Sequence, residues 1–277
     1  MAEQGTMIAS RAQRFASKSL RATTAPLRRL PDFLVIGVMK AATSSLFGYL
    51  QQHPRIAGPY KKEVHYFDSG FQHGPLWYRA HFPLEAAGIG RRCLTGEATP
   101  SYILNPHAPA RIRRTLGEVP LVLILRDPVG RAFSHYRHMV RVGREPLDFA
   151  KAIDNESLVD SEFAKVLADP AYPDTLLRDK SYLLRGRYLE QIRRYLTHFD
   201  RSRLHIIVYQ DFVARPQETM QELCRFLELE PFTFDCGRRH NVGISGEMAP
   251  QVRARLEDYF RQPNAELYDF LGRDLKW

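Results

Sequence analysis

The sequence predicts an α/β fold: a single domain with a mainly parallel central sheet flanked by helices. Three observations carry that prediction. Phe33–Ile36, Leu121–Leu125 and, but for His205, Leu204–Val208 are apolar runs of strand length, as in strands covered on both sides. Segments of helical spacing alternate with them: Leu46, Tyr49 and Leu50, then Val129–Val142, then Asp211–Leu227. The 277 residues, 44% hydrophobic and 26% charged, suffice for one large core.

The first unit, Pro31–Leu50, organises the chain. Its strand ends at Gly37, and Met39-Lys40-Ala41-Ala42-Thr43-Ser44-Ser45 leads into the helix. A strand, a turn of small residues and a helix N-terminus aim backbone N–H groups at one place, which suits an anion. Lys40 adds a cation, and Thr43, Ser44 and Ser45 add hydroxyl donors. The ordering differs from G-x-x-x-x-G-K-[ST], so a phosphate-like group is indicated without the usual ATP or GTP cradle. The plainer alternative is an ordinary strand–turn–helix in which Thr43 only caps.

A formal net charge of +9 and a pI near 9.6 favour an anionic partner. No apolar run reaches membrane-spanning length. The three cysteines, Cys93, Cys224 and Cys236, are widely spaced and read as reduced thiols rather than a zinc site or a disulfide framework. Met1–Leu30 sets Arg11, Arg14, Lys18, Arg21, Arg28 and Arg29 against Glu3 alone. It reads as a poorly ordered basic leader, with a membrane-surface helix or a transit peptide as alternatives.

Downstream, Gln52-His53-Pro54 stops the first helix. Tyr60–Asp68 then packs Lys61, Lys62, Glu63, His65 and Asp68 among aromatic residues. Strand-like alternation would put Glu63, His65 and Phe67 on one side. Phe71–Phe82 is aromatic without clear periodicity. Cys93–Tyr102 reads as a short strand leaving through Glu97 into a turn. Ala108–Leu116 is a short basic helix. Arg126-Asp127-Pro128 ends the second clear strand, and Ser134 follows about two helical turns into the next helix, making a second anion corner. In an open α/β sheet both corners should share one edge. Gly143–Lys180 reads as a partly helical excursion. Leu184, Tyr188, Ile192, Tyr195 and Phe199 return to helical spacing, and a final helix follows Pro250.

Four segments in order then resemble the sulfotransferases, closest in pattern to the heparan sulfate 3-O- and N-sulfotransferases. They are Lys40–Ser44 after its strand, Glu63-Val-His65-Tyr-Phe-Asp68, Glu97-Ala-Thr-Pro-Ser-Tyr102, and Arg126-Asp-Pro-Val-x-Arg-Ala-x-Ser134. Gly186-Arg187-Tyr188 and Leu204–Val208 also have counterparts, and the resemblance runs from Pro31 to Trp277. It implies a sulfotransferase domain over 31–277 that uses 3′-phosphoadenosine 5′-phosphosulfate as donor and leaves adenosine 3′,5′-bisphosphate, with no metal. Lys40, Ala41, Ala42, Thr43, Ser44 and Ser45 would hold the phosphosulfate, and Arg126 and Ser134 the 3′-phosphate. Glu63 would be the base, with His65 as its competitor. Lys62, Asp68 and Thr99 are acceptor-side candidates. A C-terminal loop closing over the nucleotide corresponds to Arg238–Glu247.

The departures matter too. Ala41-Ala42 replaces more usual glycines. Ala98 stands where the animal heparan enzymes carry a lysine, which predicts neutral or weakly acidic acceptors. Cys236 lacks a later disulfide partner. A cytoplasmic, bacterial-type enzyme is the resulting expectation, acting on a carbohydrate or small-molecule acceptor with no specific nucleic acid partner. Two other readings stay open. One is a nucleotide-dependent phosphotransferase with Asp127 as magnesium ligand. The other is a non-enzymatic polyanion-binding module, which leaves Glu63, His65 and Asp68 unexplained.

Overall fold

Phe33–Gly37 (β1) and Leu121–Leu125 (β4) are buried at every position in the computed structural model, which describes residues 19–85, 93–237 and 247–277. Burying each Val, Leu or Ile contributes roughly 1.5–3 kcal/mol, so these two strands anchor the core. Around them run Ile56–Ala57 (β2), Leu94–Ala98 (β3) and Leu204–Val208 (β5). All pairings are parallel, in the order β2-β3-β1-β4-β5.

The helices cover both faces, in chain order: α1 Thr43–Leu50, α2 Gly74–Arg79, α3 Ala108–Leu116, α4 Pro128–Arg141, α5 Phe149–Ile153, α6 Glu156–Ala168, α7 Thr175–Lys180, α8 Tyr188–Leu196, α9 Tyr209–Ala214, α10 Pro216–Phe226 and α11 Pro250–Leu271. The long excursion predicted over 143–180 is α5 to α7. The helical stretch from Asp211 is interrupted near Pro216 as expected, at Arg215-Pro216, where proline lacks the N–H a continuous helix needs. The short strand β2 and helix α2 lie where no periodicity was visible, because neither is long enough to show one.

The strand order places a topological switch between β1 and β4. The chain leaves β1 toward β3 and β2 on one side, and reaches β4 and β5 on the other. Ligands in open α/β sheets bind at such a point, beyond the carboxyl ends of the strands. Here those ends deliver Lys40 and Arg126, and the Arg126 Nη1 donates to the Lys40 carbonyl at 2.8 Å. The two anion corners therefore share one edge, as expected.

Two local expectations change. Residues 19–30, grouped with the leader in sequence, pack on the domain: Ala25 is buried and Arg28 Nη1 donates to the Phe82 carbonyl at 2.7 Å. Arg29 pairs with Asp32 at 3.1 Å, and Arg21 lies 4.0 Å above the Tyr60 ring. These cations are used internally; residues 1–18 lie outside the described residues. The 61–68 segment is not extended. Glu63 and His65 both have left-handed backbones, at φ 60° and 59°, and Phe67 points into the core instead of beside them.

Candidate active site

One part of the site forms from the β1–α1 connection. Lys40 and Ala42 are left-handed, at φ 72° and 61°, so the chain turns tightly before α1 begins. The first intrahelical bond runs from Leu46 N–H to the Ala42 carbonyl. The amides of Thr43, Ser44 and Ser45 precede it and open toward the cleft these residues line. Thr43 makes no side-chain cap; Ala42 holds that position. Ala41 is buried and its N–H donates to the Val38 carbonyl, so it shapes the turn without facing the cleft.

Lys40 is held below its ordinary value, first by burial and then by Arg141 and Arg126, with Glu63 opposing. No carboxylate pairs with it among the described residues. An arriving anion would relieve this crowding. Arg126 lies 4.9 Å over the Tyr209 ring, and Ser134 opens to the same cleft one face along α4. Asp127 caps α4, accepting from Val129 N–H at 3.1 Å and Gly130 N–H at 2.9 Å. That employment fits a structural part for Asp127.

Beside it lies the turn 62–68. Lys62 Nζ donates to Ser44 Oγ at 2.8 Å and to Glu63 Oε1 at 2.9 Å, so it bridges the donor loop and the carboxylate. His65 Nδ1 lies 2.8 Å from Asp68 Oδ2, and its Nε2 faces Glu63 Oε2 at 3.7 Å. Burial alone would raise Glu63, but the close approach of His65, the hydrogen bond from Lys62 and their charges hold it at about 2. Burial would lower His65, yet Asp68 and Glu63 raise it to about 9. At neutral pH the turn therefore carries an imidazolium between two carboxylates. Left-handed non-glycine residues cost about 1–2 kcal/mol each, and such strain gathers where a site must be held in one shape.

Both parts line one cleft of about 840 Å³. Its remaining wall comes largely from α4, with Phe133, Arg137, His138 and Arg141, and from Arg144 and Arg178 beyond it. Among the described residues, only Glu63 and Asp179 add carboxylates to that lining. Burial, then Lys40 and Arg141, push His138 below the ordinary imidazole value. Tyr49, Tyr209 and Phe212 make an aromatic wall near Arg126.

Of the residues singled out in sequence, Lys40, Ala42, Thr43, Ser44, Ser45, Glu63, His65, Arg126 and Ser134 converge on the cleft. Asp68 and Thr99 do not open to it. Asp68 is 6% exposed and occupied by His65, while Thr99 is fully buried and donates to Glu97 Oε1 at 2.6 Å. Ala98 is also fully buried. The nucleotide-closing segment expected at Arg238–Glu247 lies, but for Glu247, outside the described residues. Sequence reasoning missed Tyr209, Phe212 and the α4 cations. The helical spacing of Phe133, Arg137 and Arg141, four apart behind Ser134, was the available signal.

Among the described residues no helix is long and apolar enough to cross a membrane, and no cluster of His, Cys, Asp and Glu is arranged to hold a metal ion. The family model described as the sulfotransferase domain matches residues 30–237. The membrane-associated sulfotransferase kil1 of Dictyostelium discoideum is 31% identical, over 90% of this chain and 66% of its own length. Heparan sulfate glucosamine 3-O-sulfotransferase 3B1 of Mus musculus is 27% identical, over 90% and 65%. The chain thus spans about two thirds of these curated relatives. A solved sulfotransferase from Alicyclobacillus acidocaldarius is 30% identical with a TM-score of 0.67, covering 89% of this chain and 98% of that one.

Proposed function

The chain belongs to the sulfotransferase domain family, and from that premise we propose that it moves a sulfuryl group from 3′-phosphoadenosine 5′-phosphosulfate to a carbohydrate hydroxyl. One observation carries the reading: a crowded Lys40, without a carboxylate partner among the described residues, and an ionised Glu63 line one cleft, with Lys62 bridging Ser44 of the Lys40 loop to Glu63. The donor's 5′-phosphosulfate would take the α1 amides, the Thr43 and Ser44 hydroxyls and Lys40. Arg126 and Ser134 would take the 3′-phosphate, and Tyr209 with Phe212 offers a flat wall to the base.

The acceptor oxygen attacks sulfur in line with the bridging oxygen to phosphate. As the new S–O bond forms, the acceptor proton passes to a Glu63 Oε. As the old bond breaks, its electron pair goes to the phosphate oxygen, which Lys40 neutralises. The family resemblance to phosphoryl transfer puts the catalytic weight on positioning and charge. His65 holds its own proton at neutral pH, so it orients Glu63 instead of competing as base.

The cleft's cations come from Lys40, Arg126, α4 and Arg144, Arg178 and Arg253, not from position 98. Ala98 therefore does not imply a neutral acceptor, and a carbohydrate bearing carboxylate or sulfate groups fits the lining better. The heparan sulfate relatives support the same class. The basic residues 1–18 remain a candidate membrane-surface contact, and a cytoplasmic setting remains an expectation.

The test is transfer of label from the ³⁵S-labelled donor into a panel of oligosaccharides at fixed physiological salt: neutral, carboxylated, and partially sulfated heparan type. Label in an anionic oligosaccharide, with none moved from γ-labelled ATP, supports the reading. Transfer from ATP, or polyanion retention without any transfer, overturns it.

A further inference from the structure

Glu97 is a carboxyl group at the end of β3 with no exposed surface. No cation pairs with it among the described residues. Three hydroxyls donate to it instead: Thr99 Oγ1 at 2.6 Å and Tyr102 Oη at 2.7 Å, both to Oε1, and Tyr78 Oη to Oε2. Burying a carboxyl group is costly, and such a group is retained where its hydrogen bonds hold something in place.

Two of the hydroxyls continue onward. Tyr102 Oη accepts from Tyr66 N–H at 2.9 Å, and Thr99 Oγ1 accepts from His65 N–H at 3.5 Å. Both amides belong to the left-handed turn that carries Glu63 and His65. Tyr78 makes no such link: its hydroxyl ends on Glu97, and its ring stacks on Tyr66 at 4.3 Å.

We propose that Glu97 is a positioning residue for sulfuryl transfer, holding the 63–66 turn through Tyr102 and Thr99 so that Glu63 and His65 face the donor loop. The proposal rests on the reading of that turn as the acceptor end. It assigns a task to the Glu97-Ala-Thr-Pro-Ser-Tyr102 segment that the donor site leaves unused. Glu97 acts from behind the turn and touches neither donor nor acceptor.

Two matched substitutions separate positioning from mere packing, because each removes one hydroxyl from the same buried carboxylate. In Tyr102→Phe the link to the turn is cut, and in Tyr78→Phe it is kept. The first readout is the titration midpoint of His65, followed by ¹H–¹⁵N NMR and assigned with a His65→Gln control. It needs no acceptor. The second is turnover with the labelled donor and the partially sulfated heparan oligosaccharide.

Tyr102→Phe is expected to bring the His65 midpoint down from about 9 by about one pH unit or more as its partners separate. Turnover should fall about tenfold, with affinity for adenosine 3′,5′-bisphosphate unchanged. Tyr78→Phe should leave the midpoint unmoved and turnover within about threefold, even where its melting temperature falls as far. Glu97→Gln should behave as Tyr102→Phe does, and it keeps the test decisive if one tyrosine variant fails to fold.

Equal midpoint shifts in the two tyrosine variants overturn the proposal, as does an unmoved midpoint in both Tyr102→Phe and Glu97→Gln. A fully active Glu63→Gln enzyme with the His65 shift intact would instead overturn the reading of Glu63 and leave the positioning in place.

Discussion

The β1–α1 loop and the 62–68 turn, read here as the donor loop and the acceptor turn, line one cleft, and they handle charge in opposite ways. Lys40 has no carboxylate partner among the described residues and sits among Arg126 and Arg141, so its end has an unmet demand for negative charge. In the turn, Lys62, Glu63, His65 and Asp68 satisfy one another at 2.8–3.7 Å. Both ends use left-handed non-glycine backbone. The donor loop takes its shape from the strand end and helix start on either side of it. The turn is steadied from behind by buried hydroxyls on Glu97. One region is built to gain by binding, while the other is built to keep a geometry it already has.

The sharpest way to break this contrast is at Lys40. Lys40→Ala should lower kcat/KM by roughly 10³-fold, because a preorganised charge on the leaving oxygen is lost. About tenfold of that should appear as weaker binding of adenosine 3′,5′-bisphosphate, since the ammonium touches the phosphate before and during transfer. A variant that lost turnover but bound the nucleotide as tightly would move Lys40 from the donor end to the chemistry alone.

Arg126→Ala probes the same end more narrowly. Wild type should be raised in melting temperature much more by adenosine 3′,5′-bisphosphate than by AMP, a preference of about tenfold or more in affinity. The variant should treat the two alike. Equal shifts in the wild type would remove Arg126 and Ser134 from the 3′-phosphate.

The turn should show itself through pH. With Glu63 at about 2 and His65 at about 9, kcat/KM should be level from about pH 5 to 8 and fall as His65 loses its proton. A limb near 6.5 would mean that His65 is not held between its carboxylates.

The smallest effect is on stability. His65 is raised in the folded chain, so its contribution is whole below about 6.5 and is lost as pH rises through about 9. Glu63 is depressed, so its contribution is whole above about 4.5 and is lost as pH falls through about 2. Thermal unfolding should show this pair's loss above pH 6.5 in wild type, and less of it in His65→Gln.

The donor end was largely legible in sequence because its parts are contiguous: strand, Lys40, small residues and hydroxyls follow within a dozen positions. The strands beneath were legible for the same reason, since Leu121–Leu125 is buried throughout and Leu204–Val208 at three of its five positions. Glu63, His65 and Asp68 could be picked out together, but not their geometry. Extended alternation would have turned Phe67 toward the cleft, whereas two left-handed residues turn it into the core. Asp68 and Thr99 looked acceptor-facing because sequence shows residue type and not depth. Glu97 was unreadable: its partners Tyr78 and Tyr102 reach it from 19 positions before and 5 after, and each could as well have been ordinary core.

The contrast between the two regions converges on Glu63, whose carboxylate is ionised, anchored and in the same cleft as Lys40. The most direct measurement is the single-turnover rate of labelled sulfuryl transfer in Glu63→Gln, taken beside its affinity for adenosine 3′,5′-bisphosphate. The expected result is a rate lower by roughly 10²–10⁴ with the nucleotide affinity unchanged, because the amide keeps the shape and cannot take the proton. A rate within about threefold of wild type at saturating donor and acceptor would contradict the assignment of Glu63 as the base.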